Sequence, residues 1–167
     1  MDKNPEAVVI GGGIVGASIA HYLALKGLKN TVLLEKDALA GGATGVATAL
    51  VRMHYTNPWD ARLALRSWEV FDNWDELIGG SCGFTKTGFI FTVGHGETEK
   101  LQKNVDIMRN LSGINTRVLS AAELKEMLPF WNFDDIGAAA YEPDSGYADP
   151  YSATTSLAGR ARELGVS

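Results

Sequence analysis

The sequence predicts an α/β fold, and three observations predict it. An apolar strand, Val8-Val9-Ile10, runs straight into glycines at the G-x-G-x-x-G spacing (Gly11, Gly13, Gly16). An apolar helix follows, ending near Lys26, and a second strand, Thr31-Val32-Leu33-Leu34, leads into an acid, Glu35. A strand, glycine turn and helix in this order make a site for a dinucleotide. Gly11 serves the tight turn, Gly13 leaves open the place where a side chain would block a pyrophosphate, and Gly16 lets the helix pack on the strand. The N–H groups of the first helical turn, at Ile14, Val15 and Gly16, face the phosphates, where the helix dipole favours negative charge.

The rest of the unit is in register with this turn. Ala20 and Leu23 put apolar side chains on one helix face, and Gly27 is placed to end the helix. Glu35 lies 24 positions after Gly11, where the fold expects a carboxylate to hydrogen-bond a ribose diol. An acid there repels a 2′-phosphate, which disfavours NADP and leaves FAD or NAD. The plainer reading is an ordinary βαβ unit with a glycine-rich turn and a surface glutamate; strand, helix and acid together argue against it.

The chain has 167 residues, 46% hydrophobic and 21% charged, with a net charge of −5. That is the profile of a globular chain, long enough for one good core or one domain and part of another. With no basic run to neutralise phosphates, a nucleic-acid partner is not expected. A single cysteine, Cys82, rules out an internal disulfide and fits a reducing compartment, so the expected location is cytoplasmic. The first six residues, 1–6, lack the basic and apolar regions of a secretory signal. The longest apolar run, Ala7 to Ala20, is broken by four glycines, so no membrane segment is expected.

After Glu35 and Lys36 comes a small-residue stretch, 40–51, holding Gly42, Ala43, Thr44, Thr48, Ala49 and Leu50. Its glycines and hydroxyls let backbone approach a ligand closely, or else let two helices pack tightly. Its place after a ribose-binding acid favours continuation of the cofactor site. Arg52 closes the stretch, and its planar guanidinium suits a substrate carboxylate held bidentately, with a structural salt bridge as the alternative. His54 is a weaker candidate, since a lone histidine is more often structural.

Asn57, Pro58 and Asp60 mark a helix start, with Asn57 as N-cap and Pro58 at the first position. The helix is expected to run to about Leu77 and to pack on two sides, because Trp59, Leu63, Leu65, Trp68, Val70, Phe71, Trp74 and Leu77 cover more than one face. Its tryptophans read as core before they read as a flavin-stacking box. Beyond the break at Gly79-Gly80 the pattern predicts a strand over 87–93, with His95 in an exposed turn. An amphipathic helix over 97–112 follows, carrying Leu101, Val105, Met108 and Leu111 on one face and capped by Gly113. Then come a strand over 116–119, a capping box at Ser120–Glu123 opening a helix that stops at Pro129, a strand over 138–141, a turn at 142–146, a helix over 150–164 and the opening of another strand at 165–167. One βαβ unit with a strand-and-helix insertion leaves a doubly wound sheet incomplete, so the chain reads as the N-terminal piece of a longer polypeptide.

The glycine turn with Glu35-Lys36, the Gly-Gly-Ala-Thr-Gly stretch and Val51-Arg52-Met53-His54-Tyr55 resemble the FAD-dependent D-amino-acid oxidase superfamily. The order of features is most similar to its sarcosine oxidase and dimethylglycine dehydrogenase branch; 63–67, Thr85-Lys86-Thr87-Gly88 and Glu142-Pro143-Asp144-Ser145-Gly146 match it too. The resemblance implies a Rossmann-like FAD-binding domain of the GR2 type, incomplete, with the first part of an interleaved α+β substrate domain. Residues 1–83 would begin the FAD domain, 84–147 the substrate domain, and 148–167 would return to the FAD domain. It also implies that Gly11, Gly13, Gly16, Glu35 and Lys36 contact the ADP half of FAD, that Ala43, Thr44, Thr48 and Leu50 lie along its pyrophosphate and flavin, and that Arg52 binds a substrate carboxylate.

Where large-complex sarcosine oxidases carry a histidine anchoring a second flavin, this chain has Pro150, so FMN is not expected there. The residues by which family members attach FAD covalently and activate oxygen would lie beyond Ser167. The function implied is oxidation of a small amino acid or N-methylated amine by hydride transfer to flavin, with oxygen or another electron acceptor as partner. No acid–base dyad is required, since the flavin is the electrophile; none stands out, and neither does a metal cluster or a nucleophile elbow. Two other readings stay open: an NAD-dependent dehydrogenase, and a binding piece inactive without the missing C-terminal half.

Overall fold

In the computed structural model, which describes residues 4–167 apart from the side chains of 111 and 112, the glycine turn lies between a strand and a helix. The elements are β1 (Ala7–Ile10), α1 (Ile14–Leu25), β2 (Thr31–Leu34), β3 (Leu50–Val51), α2 (Pro58–Asp72), α3 (Trp74–Leu77), β4 (Thr85–Lys86), β5 (Phe89–Val93), α4 (Thr98–Ser112), β6 (Arg117–Ser120), α5 (Ala121–Met127), β7 (Ala138–Glu142), β8 (Gly146–Tyr147) and α6 (Pro150–Glu163). They form two compact units. One holds the chain up to Leu50 with Val70–Phe84 and Tyr147–Ser167; the other holds Val51–Glu69 and Thr85–Gly146.

In the first unit β1 and β2 are parallel, with Ala7 opposite Thr31 and Ile10 opposite Leu34. Parallel neighbours need a crossover, and α1 supplies it. Ala17, Ala20 and Ala24 lie on one face of α1 and are buried, as are Ala153, Leu157 and Ala161 on α6. The five alanines among these let the two helix backbones approach closely. Asp149 starts α6 by accepting the Ser152 N–H at 2.6 Å, ahead of Pro150 at the first position. Past α6, Ser167 donates its N–H to the Thr31 carbonyl at 3.0 Å and accepts the Leu33 N–H at 2.8 Å. The strand expected at 165–167 thus consists here of one residue bonded to β2.

The helix expected to reach Leu77 breaks at Asn73, whose φ of −115° and ψ of 32° leave the helical region. An asparagine side chain competes with helical backbone bonds, and past the break Trp74 and Ile78 join the core cluster with Ala17, Cys82, Ala153 and Leu157. Ala61, Leu65 and Trp68 pack in one cluster and Val70 and Phe71 in another, so the helix is covered on two sides as expected, but not at every apolar position. Ala61 is buried, but Trp59, Leu63 and Leu77 are 69%, 68% and 52% exposed. Trp59 is therefore not core; the Arg62 guanidinium covers its ring at 5.1 Å.

The second unit is organised by β7, which is central in an antiparallel sheet ordered β5-β7-β6. Phe89 pairs with Glu142 and Arg117 with Tyr141. Successive strand residues point to opposite faces, and both faces of β7 are covered. Ala138 and Ala140 pack with Leu101 and Val105 of α4, while Ala139 packs with Leu119 and Leu124. Glu142 has the parity of Ala138 and Ala140, so the same alternation carries its carboxyl into the buried face.

The strand expected over 87–93 starts only at Phe89, after the separate β4. The capping box at Ser120 and Glu123 is present in both directions. Leu111, expected on the apolar face of α4, has its side chain outside the described residues. Residues 51–69, expected with the first part of the chain, belong to the second unit. Met53, Ala61, Leu65 and Trp68 pack there with Met108 and Ile114.

Candidate functional site

The turn after β1 is shaped by what a side chain would strike. Gly11 has a φ of +107°, a region that L side chains avoid. A Cβ on Gly16 would lie 1.8 Å from the Gly11 carbonyl oxygen, and one on Gly13 would lie 2.9 Å from Thr44 Oγ1. Gly13 is the N-cap of α1 and offers no side chain to its first turn. Thr44 takes that place, its hydroxyl accepting the Ile14 N–H at 3.1 Å. The N–H groups of Val15 and Gly16 have no acceptor among the described residues, so they remain for a ligand.

The chain after β2 is tied to this turn. Glu35 Oε2 accepts the Gly12 N–H at 2.6 Å and Oε1 accepts the Asp37 N–H at 2.9 Å, while Ala40 donates its N–H to the Gly12 carbonyl at 2.9 Å. The hydrogen bond from Asp37, then that from Gly12, holds the Glu35 carboxyl below the usual range, so it is anionic. A carboxylate has about four lone-pair directions, so this one retains acceptors for a diol.

Lys36 is exposed, 3.8 Å from Asp37. Gly42, Ala43, Thr48 and Leu50 are exposed, and Thr44 and Ala49 are half-buried, in a run of turns without helix. The stretch is therefore not a helix–helix contact. Ala40 and Ala49 hold φ values of 59° and 61°, strained for non-glycine residues. Neither Gly12 nor Ala40 is marked by the glycine spacing. A Cβ on Gly12 would lie 2.8 Å from Leu39 and 2.9 Å from Glu35; the unbroken Gly11-Gly12-Gly13 run was the signal for it. Spare amide donors at Val15 and Gly16 and an anionic acid with free lone pairs fit the ADP half of FAD.

In the second unit Arg52 is half-buried. Its guanidinium lies 4.3 Å from the centre of the Tyr55 ring and 5.4 Å from that of Phe89, and one of its nitrogens donates to the His54 carbonyl. Among the described residues no carboxylate lies within ion-pair distance of it. The structural salt bridge weighed for Arg52 is thus absent among them, and the remaining guanidinium donors are free for an anion.

His54 is 3% exposed. It stacks on Phe91 at 4.7 Å, and its Nε2 is 3.4 Å from Asn104 Nδ2. Burial, and then the neighbouring Arg52 charge, lowers its pKa to about 4, so the ring is neutral. His95 is exposed, with Nε2 2.9 Å from the Asp134 carbonyl.

A parallel βαβ pair with this turn and this acid defines the dinucleotide-binding class. The chain belongs to the FAD dependent oxidoreductase family (DAO), whose model matches residues 6–167. It is 33% identical over 161 residues to the mitochondrial dimethylglycine dehydrogenase of Rattus norvegicus, covering 96% of this chain and 19% of that protein. It is 27% identical over 172 residues to sarcosine oxidase subunit beta of Arthrobacter sp, covering 98% of this chain and 42% of the relative.

Among solved structures, L-proline dehydrogenase from P. horikoshii matches with a TM-score of 0.88 and 32% identity, over 99% of this chain and 44% of that one. The resemblance read from the motifs is thereby established. The family is FAD-dependent, which sets the NAD reading aside. Among the described residues no helix is long and apolar enough to cross a membrane.

Proposed function

We propose that the chain is the N-terminal part of an FAD-dependent oxidoreductase that oxidises a small amino acid or N-methylated amine of the sarcosine type. The observation that carries this reading is Arg52, a guanidinium near the Tyr55 and Phe89 rings with no carboxylate within ion-pair distance among the described residues, in a chain of the FAD dependent oxidoreductase family. Dimethylglycine, sarcosine and proline, in the names of the three proteins above, each join a carboxylate to an alkylated amine nitrogen. An arginine that binds the carboxylate fixes the position of the carbon beside that nitrogen.

In this reading the turn residues Gly11, Gly13, Ile14, Val15 and Gly16, with Glu35 and Lys36, hold the ADP half of FAD. Gly42, Ala43, Thr44, Thr48, Ala49 and Leu50 continue along the cofactor. FAD, when bound, supplies the hydride acceptor. With FAD bound as acceptor, the substrate would give up a hydride from carbon as the nitrogen lone pair forms a C=N bond, and water would then hydrolyse the imine to an amine and a carbonyl compound. Oxygen or another acceptor would take up the electrons.

Arg52 orients the substrate through its carboxylate. His54, buried and neutral, supports the Arg52 segment and does not touch substrate. The substrate domain begins in the second unit, and 51–69 count with it. The activity is that of a polypeptide longer than these residues. Its location is cytoplasmic, a compartment suited to the lone, buried Cys82.

The test is anaerobic mixing of the complete protein with sarcosine, N,N-dimethylglycine or proline. We expect the visible flavin band to bleach with at least one of them. A flavin that stays oxidised with all three, while dithionite bleaches it, would remove this substrate class.

A further inference from the structure

Glu142 is fully buried, yet the fold has no need of a charge there, since the same face of β7 is otherwise alanine. Its Oε2 accepts the Met53 N–H at 3.0 Å and the Ser145 hydroxyl at 2.8 Å. Its Oε1, equally buried, has no hydrogen-bond partner among the described residues. A buried carboxyl left half satisfied costs free energy that an apolar residue would not. Burial pushes this carboxyl up, while Ser145, the N–H groups of Met53 and His54, and the Arg52 charge pull it back.

We propose that Glu142 is a positioning residue for Arg52. The Met53 N–H belongs to the peptide that joins Arg52 to Met53, so holding it fixes the direction in which the Arg52 side chain leaves the backbone. The other hold on Arg52 is its bond to the His54 carbonyl, one residue further along the same segment. Glu142 thereby sets the backbone at one of the two points that aim the guanidinium, across 89 positions of sequence. This rests on the reading of Arg52 as the site of the substrate carboxylate.

The test uses the complete protein with its FAD, and as probe whichever of sarcosine, N,N-dimethylglycine and proline it oxidises best, beside the corresponding carboxamide, which lacks the negative charge. We expect Glu142→Leu to raise KM for the acid about tenfold with FAD content unchanged, and to leave KM or the inhibition constant of the amide within about twofold. In an Arg52→Ala background the same change should add nothing further.

Equal losses for acid and amide, or full additivity with Arg52→Ala, would show a merely structural role and overturn the proposal. If Glu142→Leu does not fold, Glu142→Ala, which removes the acceptor of the Met53 N–H on a face that is otherwise alanine, decides by the same acid-against-amide comparison. An Arg52→Ala variant with unchanged KM for the acid would instead remove the Arg52 reading, and this inference with it.

Discussion

Glu35 accepts the Gly12 N–H at 2.6 Å, linking residues 23 positions apart. The acid after β2 and the turn after β1 are therefore one structure, and the carboxylate is held in place before any ligand arrives. Preorganisation of this kind lowers the cost of binding.

Replacing that charge tests its role toward the ribose. We expect Glu35→Gln in the complete protein to weaken FAD binding about tenfold, measured by titrating the apoprotein with FAD. The carboxyl is held below its usual range, so its contribution to stability is present above the unfolded pKa and lost as pH falls through the folded one. An unchanged dissociation constant would remove the ribose assignment.

Steric limits at the turn give a stability test. A Cβ on Gly16 would sit 1.8 Å from a backbone oxygen, whereas one on Gly42 meets nothing within 4 Å. We expect Gly16→Ala to cost ~3 kcal/mol or to abolish folding, and Gly42→Ala to stay within about 0.5 kcal/mol, both by urea unfolding. Equal stabilities would mean that the turn relaxes freely.

The turn, the helix after it and the acid were legible because each is signalled by neighbours in sequence. So was the start of α2, where Asn57 Oδ1 accepts the Trp59 N–H at 3.0 Å, and the capping box at Ser120. Glu142 was not legible. In sequence it is an acid opening a turn, and its burial follows from strand parity and from a segment far away along the chain. The exposure of Trp59 and Leu63 was hidden for a similar reason, since an apolar count reports what could be covered and not what covers it. The break at Asn73 depends on where Trp74 and Ile78 find a core, which is again tertiary.

His54 sets a pH dependence. Its pKa is lowered to about 4, so between the unfolded value near 6.5 and 4 the unfolded chain binds the extra proton. Stability therefore rises with pH through that window and is lost as pH falls, by up to ~3 kcal/mol. Glu142, pushed the other way by burial, opposes this slope, so the comparison must be between wild type and His54→Phe. We expect the wild type to lose more stability than the variant between pH 6.5 and 4 in urea titrations. Parallel curves would show that His54 ionises freely in the folded protein.

Arg52 supplies the most specific functional test. A lysine keeps the charge but not the planar fork, and we expect Arg52→Lys to raise KM for a carboxylate-bearing amine about tenfold while FAD content stays constant. Equal kinetics would remove the assignment.

We propose that this chain builds the ADP end of an FAD site. The direct measurement is the visible spectrum of the complete protein purified without added cofactor, with the nucleotide identified after heat release and the apoprotein titrated with FAD. We expect flavin bands and close to one FAD per chain, bound or readily taken up. A folded protein that is colourless and takes up no FAD would contradict the account.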